Sequence, residues 1–329
     1  MDAISYTRAT SVAQAISAKA HPSSMFIAGG TNLIDLTKGY VEQPCHLIDI
    51  TRIPELKTIE KLPNGGLRIG ALVSNSAVAN DPEVRIHYPL LAHALLSGAS
   101  QQLRNMATVG GNLMQRTRCG YFYDIAFKHC NKRDPASGCS ALTGPNRTFA
   151  ILGASHQCVA TNPSDMSVAL LALDAVVRVT GPSGERTIAF TDFHRLPDNN
   201  PEKDTTLQPG ELITAVDLPA PIYSYSHYLK IRDRASYAFA LVSVAVALQL
   251  DGDIVKCVRI ALGGVAHKPW RAREAEKILV GSAITDEILK EASEVAMKDA
   301  QPLQDNEFKV TMSKRAIIRA VNMAIGGSL

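Results

Sequence analysis

Four of the six cysteines in this chain, Cys119, Cys130, Cys139 and Cys158, fall in one irregular stretch at C-x10-C-x8-C-x18-C. The surrounding segment RTRCGYFYDIAFKHCNKRDPASGCSAL, Arg116 to Leu142, keeps neither a helical nor a strand period. It is far longer than the usual connection inside a compact domain. Its irregularity and basic character argue against a hydrophobic core, so a chemical cross-link is expected to hold it together. Four thiolates around iron and sulfide would do so. Three other readings stand beside that one. Disulfides belong mostly to small exported domains, structural zinc usually shows paired C-x2-4-C knuckles, and buried unbonded cysteines are ordinary one at a time.

The rest of the chain sets few limits. With 329 residues, 46% hydrophobic and 20% charged, it is long enough for two domains, or for one with an appendage. A net charge of +3, dispersed along the sequence, gives no footprint for nucleic acid. A single Trp and the lack of an apolar run of membrane-spanning length argue against a helical span. The first residues, MDAISYTRATSVAQAISAKA, show no basic region followed by an apolar stretch, so no secretion signal is expected on this chain.

Along the sequence, Ile4 to Arg8 reads as a strand and Ser11 as the cap of a helix. MFIA reads as a short apolar run that breaks at Gly29-Gly30, HLIDI and GLRIGAL as short strands, and Asn75 to Ser97 as a helical region. After the cysteine segment come the helix SDMSVALLALDA, the strand AVVRVT, a turn at Gly181 to Gly184 and the strand TIAF. Phe193 to Gly210, rich in Pro, Asn and Asp, reads as an exposed connection. Beyond it YLKIRD, ALVSVAVALQL and KCVRIALGGV read as three strands, with a hairpin at Asp251-Gly252. Helices over Arg271 to Val280, Thr285 to Ala300 and Phe308 to Ile325 close the chain. The expected class is α+β, with a boundary near residue 221 and an insertion at about 113–160.

Two glycine pairs carry the second chemical signal. IAGGTNL (Ile27 to Leu33) and TVGGNL (Thr108 to Leu113) each end an apolar stretch with Gly-Gly and small hydrogen-bonding residues. Glycine lets the backbone approach a ligand closely and present successive N–H groups, as a pyrophosphate requires. Neither pair is G-x-G-x-x-G, so a Rossmann fold is not supported. Taken singly, each is better explained by an ordinary turn, and only the occurrence of two similar pairs favours a ligand loop.

These motifs, together with ASYAFALVSVAVAL and LGGVAHKP in the C-terminal third, resemble the FAD-binding subunits of the molybdenum hydroxylases, the xanthine dehydrogenase and carbon monoxide dehydrogenase group. The resemblance covers almost the whole chain. RTRCGYFYD, CNKRDPASGC and QCVATNPSDM narrow it toward the FAD and [4Fe-4S] subunits of bacterial periplasmic aldehyde oxidoreductases. It implies a two-part FAD-binding domain of the vanillyl-alcohol-oxidase type over 1–220 and a C-terminal α+β domain, a three-stranded sheet with helices, over 221–329. Met25, Phe26, Ile27, Ala28, Gly29, Gly30, Thr31, Asn32 and Leu33 would wrap the FAD pyrophosphate, with Thr108, Gly110, Gly111 and Asn112 as a second wall. By the same resemblance Asp165 would lie near the adenosine portion, Ile213 would pack on the flavin and Lys230 would sit by the isoalloxazine ring. Cys119, Cys130, Cys139 and Cys158 would ligate a [4Fe-4S] cluster.

The resemblance also implies a division of labour in a heterotrimer. An aldehyde is oxidised to a carboxylic acid at a molybdenum cofactor in a large subunit, electrons cross two [2Fe-2S] clusters in a small subunit, and FAD passes them to an external acceptor. No catalytic acid/base pair is expected on this chain, and it would reach the periplasm with a signal-bearing partner, or else be cytoplasmic. The FAD subunit of another molybdenum hydroxylase, of xanthine or hydroxybenzoyl-CoA type, a free-standing flavin oxidase and a zinc-stapled scaffold remain alternatives. Several residues also have plainer readings: Asp165 as a helix cap, Lys230 and the basic residues Arg116, Arg118, Lys128, Lys132 and Arg133 as solvated charges, and Cys257 as a small buried hydrophobe. Cys45 beside His46 is too little for a metal site.

Overall fold

A computed structural model describes residues 3–19 and 21–326. Among these residues, twelve strands form three sheets. β1 (Ser5–Arg8), β2 (Ser24–Ile27) and β3 (His46–Asp49) make a parallel sheet in the order β1-β3-β2. β4 (Ile59–Lys61), β5 (Leu67–Gly70), β6 (Val176–Gly181), β7 (Gly184–Ala189) and β8 (Leu212–Leu218) make an antiparallel sheet ordered β4-β5-β8-β6-β7. β9 (Tyr225–Ile231), β10 (Val242–Asp251), β11 (Ile254–Gly263) and β12 (Trp270–Arg271) form the third. The first three of these are the strands expected from sequence, and the two-residue β12 adds an edge too short to show a period.

β10 explains how the molecule closes. Its residues Val242 to Leu248 are all buried, which is why they read as one apolar run. Because side chains alternate across a strand, Val242, Val244, Val246 and Leu248 face one core while Ala245 and Ala247 face the other. The large residues pack against the helices Arg273–Leu279, Asp286–Ala296 and Phe308–Ala324. The alanines leave room for the helix Asp165–Ala172, which is buried from Met166 to Ala172 and therefore apolar all round.

The helical region before the second glycine pair is three short helices, Asn75–Asn80, Pro82–His87 and Pro89–Ser97. Pro82 and Pro89 each start a new helix, because proline supplies no N–H to continue the preceding one.

The cysteine segment departs most from expectation. It builds a small core of its own, in which Phe122, Ala141, Phe149, Val159 and Ala160 pack with Leu36 and the cysteines. Three of its basic residues are structural, while Lys128 is exposed. Lys132, with only 1% of its side chain exposed, is paired with Asp204, and so is Arg116. Arg133 donates to the carbonyls of Tyr121, Phe122 and Phe127. Long aliphatic stems let such residues pack while their charged ends find partners, so a basic segment can still fold on itself. Phe193 to Gly210 is likewise more than an exposed connection: Phe193 and His194 are buried, and Asp204 receives the charges of the cysteine segment.

Candidate functional site

The two glycine loops meet. β2 delivers Met25, Phe26 and Ile27, each partly buried, to Ala28 and the Gly29-Gly30 pair, where Gly30 has φ +70°. A Cβ on Gly29 would lie 1.9 Å from the carbonyl oxygen of Met106, two residues before Thr108. Gly29 is therefore glycine because the second loop crosses it, whatever else it touches. Thr108 caps the helix Val109–Leu113 by accepting from the Gly111 N–H at 3.2 Å. Gly110 lies close on Ala71, with only 3.2 Å to spare for a Cβ, whereas Gly111 is exposed. Thr31 is exposed and Leu33 opens the helix Leu33–Lys38.

Side-chain hydrogen bonds connect these loops to the rest of the site. Asn32 accepts from the Arg116 N–H and donates to the Tyr123 hydroxyl, both at 2.9 Å, which ties the first loop to the cysteine segment. Asn112 accepts from the Ser164 hydroxyl at 2.6 Å, which ties the second loop to the start of the helix Asp165–Ala172. Ser164 also caps that helix, accepting from Ser167 N–H at 2.9 Å. Asp165 is thereby free for other work.

Asp165 and Lys230 form a buried ion pair at 2.8 Å, with side chains 9% and 4% exposed. Tyr228 donates to the other carboxylate oxygen at 2.7 Å, and Lys230 donates to the Ser97 carbonyl at 3.1 Å. Lys230 is thus no solvated strand residue and Asp165 no mere cap. The resemblance assigned them to opposite ends of FAD, yet they share one spot, so both would meet the same part of the cofactor. Tyr228 was missed by sequence reasoning although it sits two residues from Lys230, on the same face of β9. Burial and the Asp165 charge push its phenol well above the usual tyrosine range. Ile213, on β8, is 4% exposed and packs inside the main core.

A cavity of about 230 Å³ opens beside this pair. Asn162, Ser164 and Asp165 line one side, and Phe239, Leu241 and Gly264 come from the C-terminal part of the chain. Arg118 and Cys119 also reach its wall, and the Arg118 guanidinium lies 5.2 Å from the centre of the Phe239 ring.

Behind Cys119 the four cysteines gather as free thiols in the core of their segment. Cys130 and Cys139 face each other across an isolated β-bridge, and Cys158 bridges to Ser155. Burial pushes the Cys119 thiol up to about 12 and the Cys158 thiol up to about 11, and raises Cys139. Backbone N–H groups of Phe122 and Tyr121 at Cys119, of Ala141, Val159 and Leu142 at Cys139, and of Ala160 at Cys158 act the other way. Amides aimed at sulfur favour the thiolate, which is the metal-binding form. Among the described residues no three His, Cys, Asp or Glu side chains converge tightly enough for a single metal ion.

Residues 2–221 match the family "FAD binding domain in molybdopterin dehydrogenase", and residues 227–324 match "CO dehydrogenase flavoprotein C-terminal domain". The chain is 50% identical to the aldehyde oxidoreductase FAD-binding subunit PaoB of Escherichia coli (strain K12) over 96% of each chain. It is 28% identical to the glyceraldehyde dehydrogenase medium chain of Sulfolobus acidocaldarius, over 97% of this chain and 95% of that one. Among solved structures, reconstituted CO dehydrogenase from Oligotropha carboxidovorans superposes with a TM-score of 0.78 at 25% identity, covering 99% of each chain. The chain therefore belongs to the FAD-binding subunits of the molybdenum hydroxylase family.

Proposed function

We propose that the chain is the electron-transferring FAD subunit of an aldehyde oxidoreductase, assembled with a small [2Fe-2S] subunit and a large molybdenum-cofactor subunit, and that Cys119, Cys130, Cys139 and Cys158 hold a [4Fe-4S] cluster. The observation that carries this reading is the cleft, whose wall includes both the Asp165 end of the ion pair and Cys119. The relation to PaoB over nearly the whole chain supports the aldehyde and the partners. Bound FAD takes up electrons singly and gives them up in pairs, which suits a junction between one-electron centres and a two-electron acceptor.

The chain's own residues then have limited tasks. The loops at Gly29-Gly30 and Gly110-Gly111 fit a cradle for the pyrophosphate, since glycine permits the close crossing that builds it. Asp165, Tyr228 and Lys230 offer a fixed set of polar groups, and Phe239 and Leu241 give the cleft apolar surface. Asp165 is committed to its ion pair, so no free acid/base pair is proposed here, and the aldehyde reacts on the large subunit. We further propose that the complex resides in the periplasm and is exported folded with a signal-bearing partner. Among the described residues no helix is long and apolar enough to cross a membrane.

The test is the visible spectrum of the purified complex with iron, sulfide and zinc analysis of this subunit. Flavin absorption together with four irons on this chain is expected. Cys119→Ser, Cys130→Ser, Cys139→Ser and Cys158→Ser should each lower iron sharply, while Cys45→Ser and Cys257→Ser should not. Full iron in all four ligand variants, or zinc in place of iron, would sink the cluster.

A further inference from the structure

Lys132 is an unusual residue to find beside a set of buried thiols. It sits in the turn that follows Cys130, where the Arg133 and Asp134 N–H groups bond the Cys130 carbonyl at 2.9 and 2.8 Å. Asn131 locks this turn to the last cysteine, donating to the carbonyl and side-chain oxygens of Gln157 at 3.0 and 2.7 Å. The Lys132 ammonium, 1% exposed, is then fixed by the Pro201 carbonyl at 2.6 Å and Asp204 at 2.5 Å. Behind Asp204 stand Arg116 at 2.5 Å and His267 at 3.5 Å, and Arg116 also pairs with Glu42. Burial pushes His267 down to about 4, with the Lys132 charge adding to the effect, so it is neutral at ordinary pH.

We propose that Lys132 and Asp204 together set the reduction potential of the cluster held by Cys119, Cys130, Cys139 and Cys158, with Lys132 raising it and Asp204 holding that rise in check. The inference rests on the cluster assignment made above and goes beyond it. One electron added to the cluster makes it one charge more negative. A buried cation stabilises that state with little screening by water, and a buried carboxylate opposes it. Lys132 is a positioning residue in this role and binds no iron. A purely structural tie between the cysteine segment and the 193–210 connection would move stability or iron content, but it would not move the potential in opposite directions for the two partners.

The experiment is an EPR-monitored redox titration of the assembled complex with dithionite as the electron source, with FAD and iron counted in each variant. Lys132→Met should make the cluster about tenfold harder to reduce at a given potential, a midpoint lower by about 59 mV for one electron. Asp204→Asn, which keeps the shape and removes the negative charge, should shift the midpoint upward. Lys132→Arg should stay near the wild-type value. The upward shift in Asp204→Asn tests the idea even where Lys132→Met fails to fold. Iron-replete Lys132→Met and Asp204→Asn proteins with unmoved midpoints, or with shifts in the same direction, overturn this inference alone. A wild-type chain without iron overturns the cluster assignment and this inference with it.

Discussion

At the scale of single residues, the Asp165–Lys230 pair decides what a substitution there can report. A lysine standing alone by a flavin ring would be a pure electrostatic probe, and its removal would lower the flavin potential. In this fold its charge is already matched by a carboxylate that is itself 9% exposed. Lys230→Met leaves Asp165 buried with Tyr228 as its remaining partner, and breaking a buried pair from one side typically costs about 3–5 kcal/mol. The expected outcome is a loss of that order in chemical denaturation, together with lost FAD. Asp165→Asn combined with Lys230→Met should recover much of the stability, because no uncompensated charge is left. A single variant as stable as wild type would mean that the pair is not buried as described. The sequence offered Asp165 and Lys230 only through family likeness. Nothing local shows that residues 65 positions apart in the chain share a hydrogen bond.

At the scale of elements, what was legible followed from local rules. The Ser11 cap, the helix opening at Thr285, the Asp251-Gly252 hairpin and the strand β10 are each dictated by neighbouring residues and are found in place. The cysteine segment was misread because its stabilising partners lie far away in sequence. Lys132 meets Asp204, Asn32 meets Tyr123, and Leu36 joins the cysteine core. The glycine loops show the same limit: a Gly-Gly pair announces close approach but not of what. Gly29 and Gly111 now separate the possibilities. Gly29→Ala puts a methyl group 1.9 Å from a backbone carbonyl that cannot easily retreat, so it should destabilise the crossing of the loops and lose FAD. Gly111→Ala meets only the hydroxyl of Thr108, at 3.0 Å, and should keep the fold. Thermal unfolding and FAD stoichiometry of the two proteins check this. Equal behaviour would show that the crossing does not define the site.

On the scale of the whole molecule, the C-terminal helix Phe308–Ala324 holds the far end of the cysteine segment through Lys309. This residue has no exposed surface and donates to the carbonyls of Thr148 at 3.3 Å, Phe149 at 2.8 Å and Gly264 at 2.5 Å. Phe149 packs among the cysteines, and both Phe149 and Gly264 line the cleft, so one side chain joins cysteine segment, cleft and the end of β11. Burial, with the Arg147 charge adding to it, pushes Lys309 down from 10.5 to about 7. Between those values the unfolded chain binds a proton that the folded chain does not, so stability rises with pH across this window. Below about 7 both states carry the proton and the folded state bears the full penalty of a buried cation. Lys309→Met removes the titration, so the stability difference between wild type and variant should move in favour of wild type as pH is raised from about 6 to about 9. Denaturation of both proteins across that range provides the measurement, and taking the difference cancels the other groups that titrate there. A difference that stays flat with pH would mean that Lys309 keeps an ordinary ammonium in the fold, stabilised by its three carbonyls despite the burial.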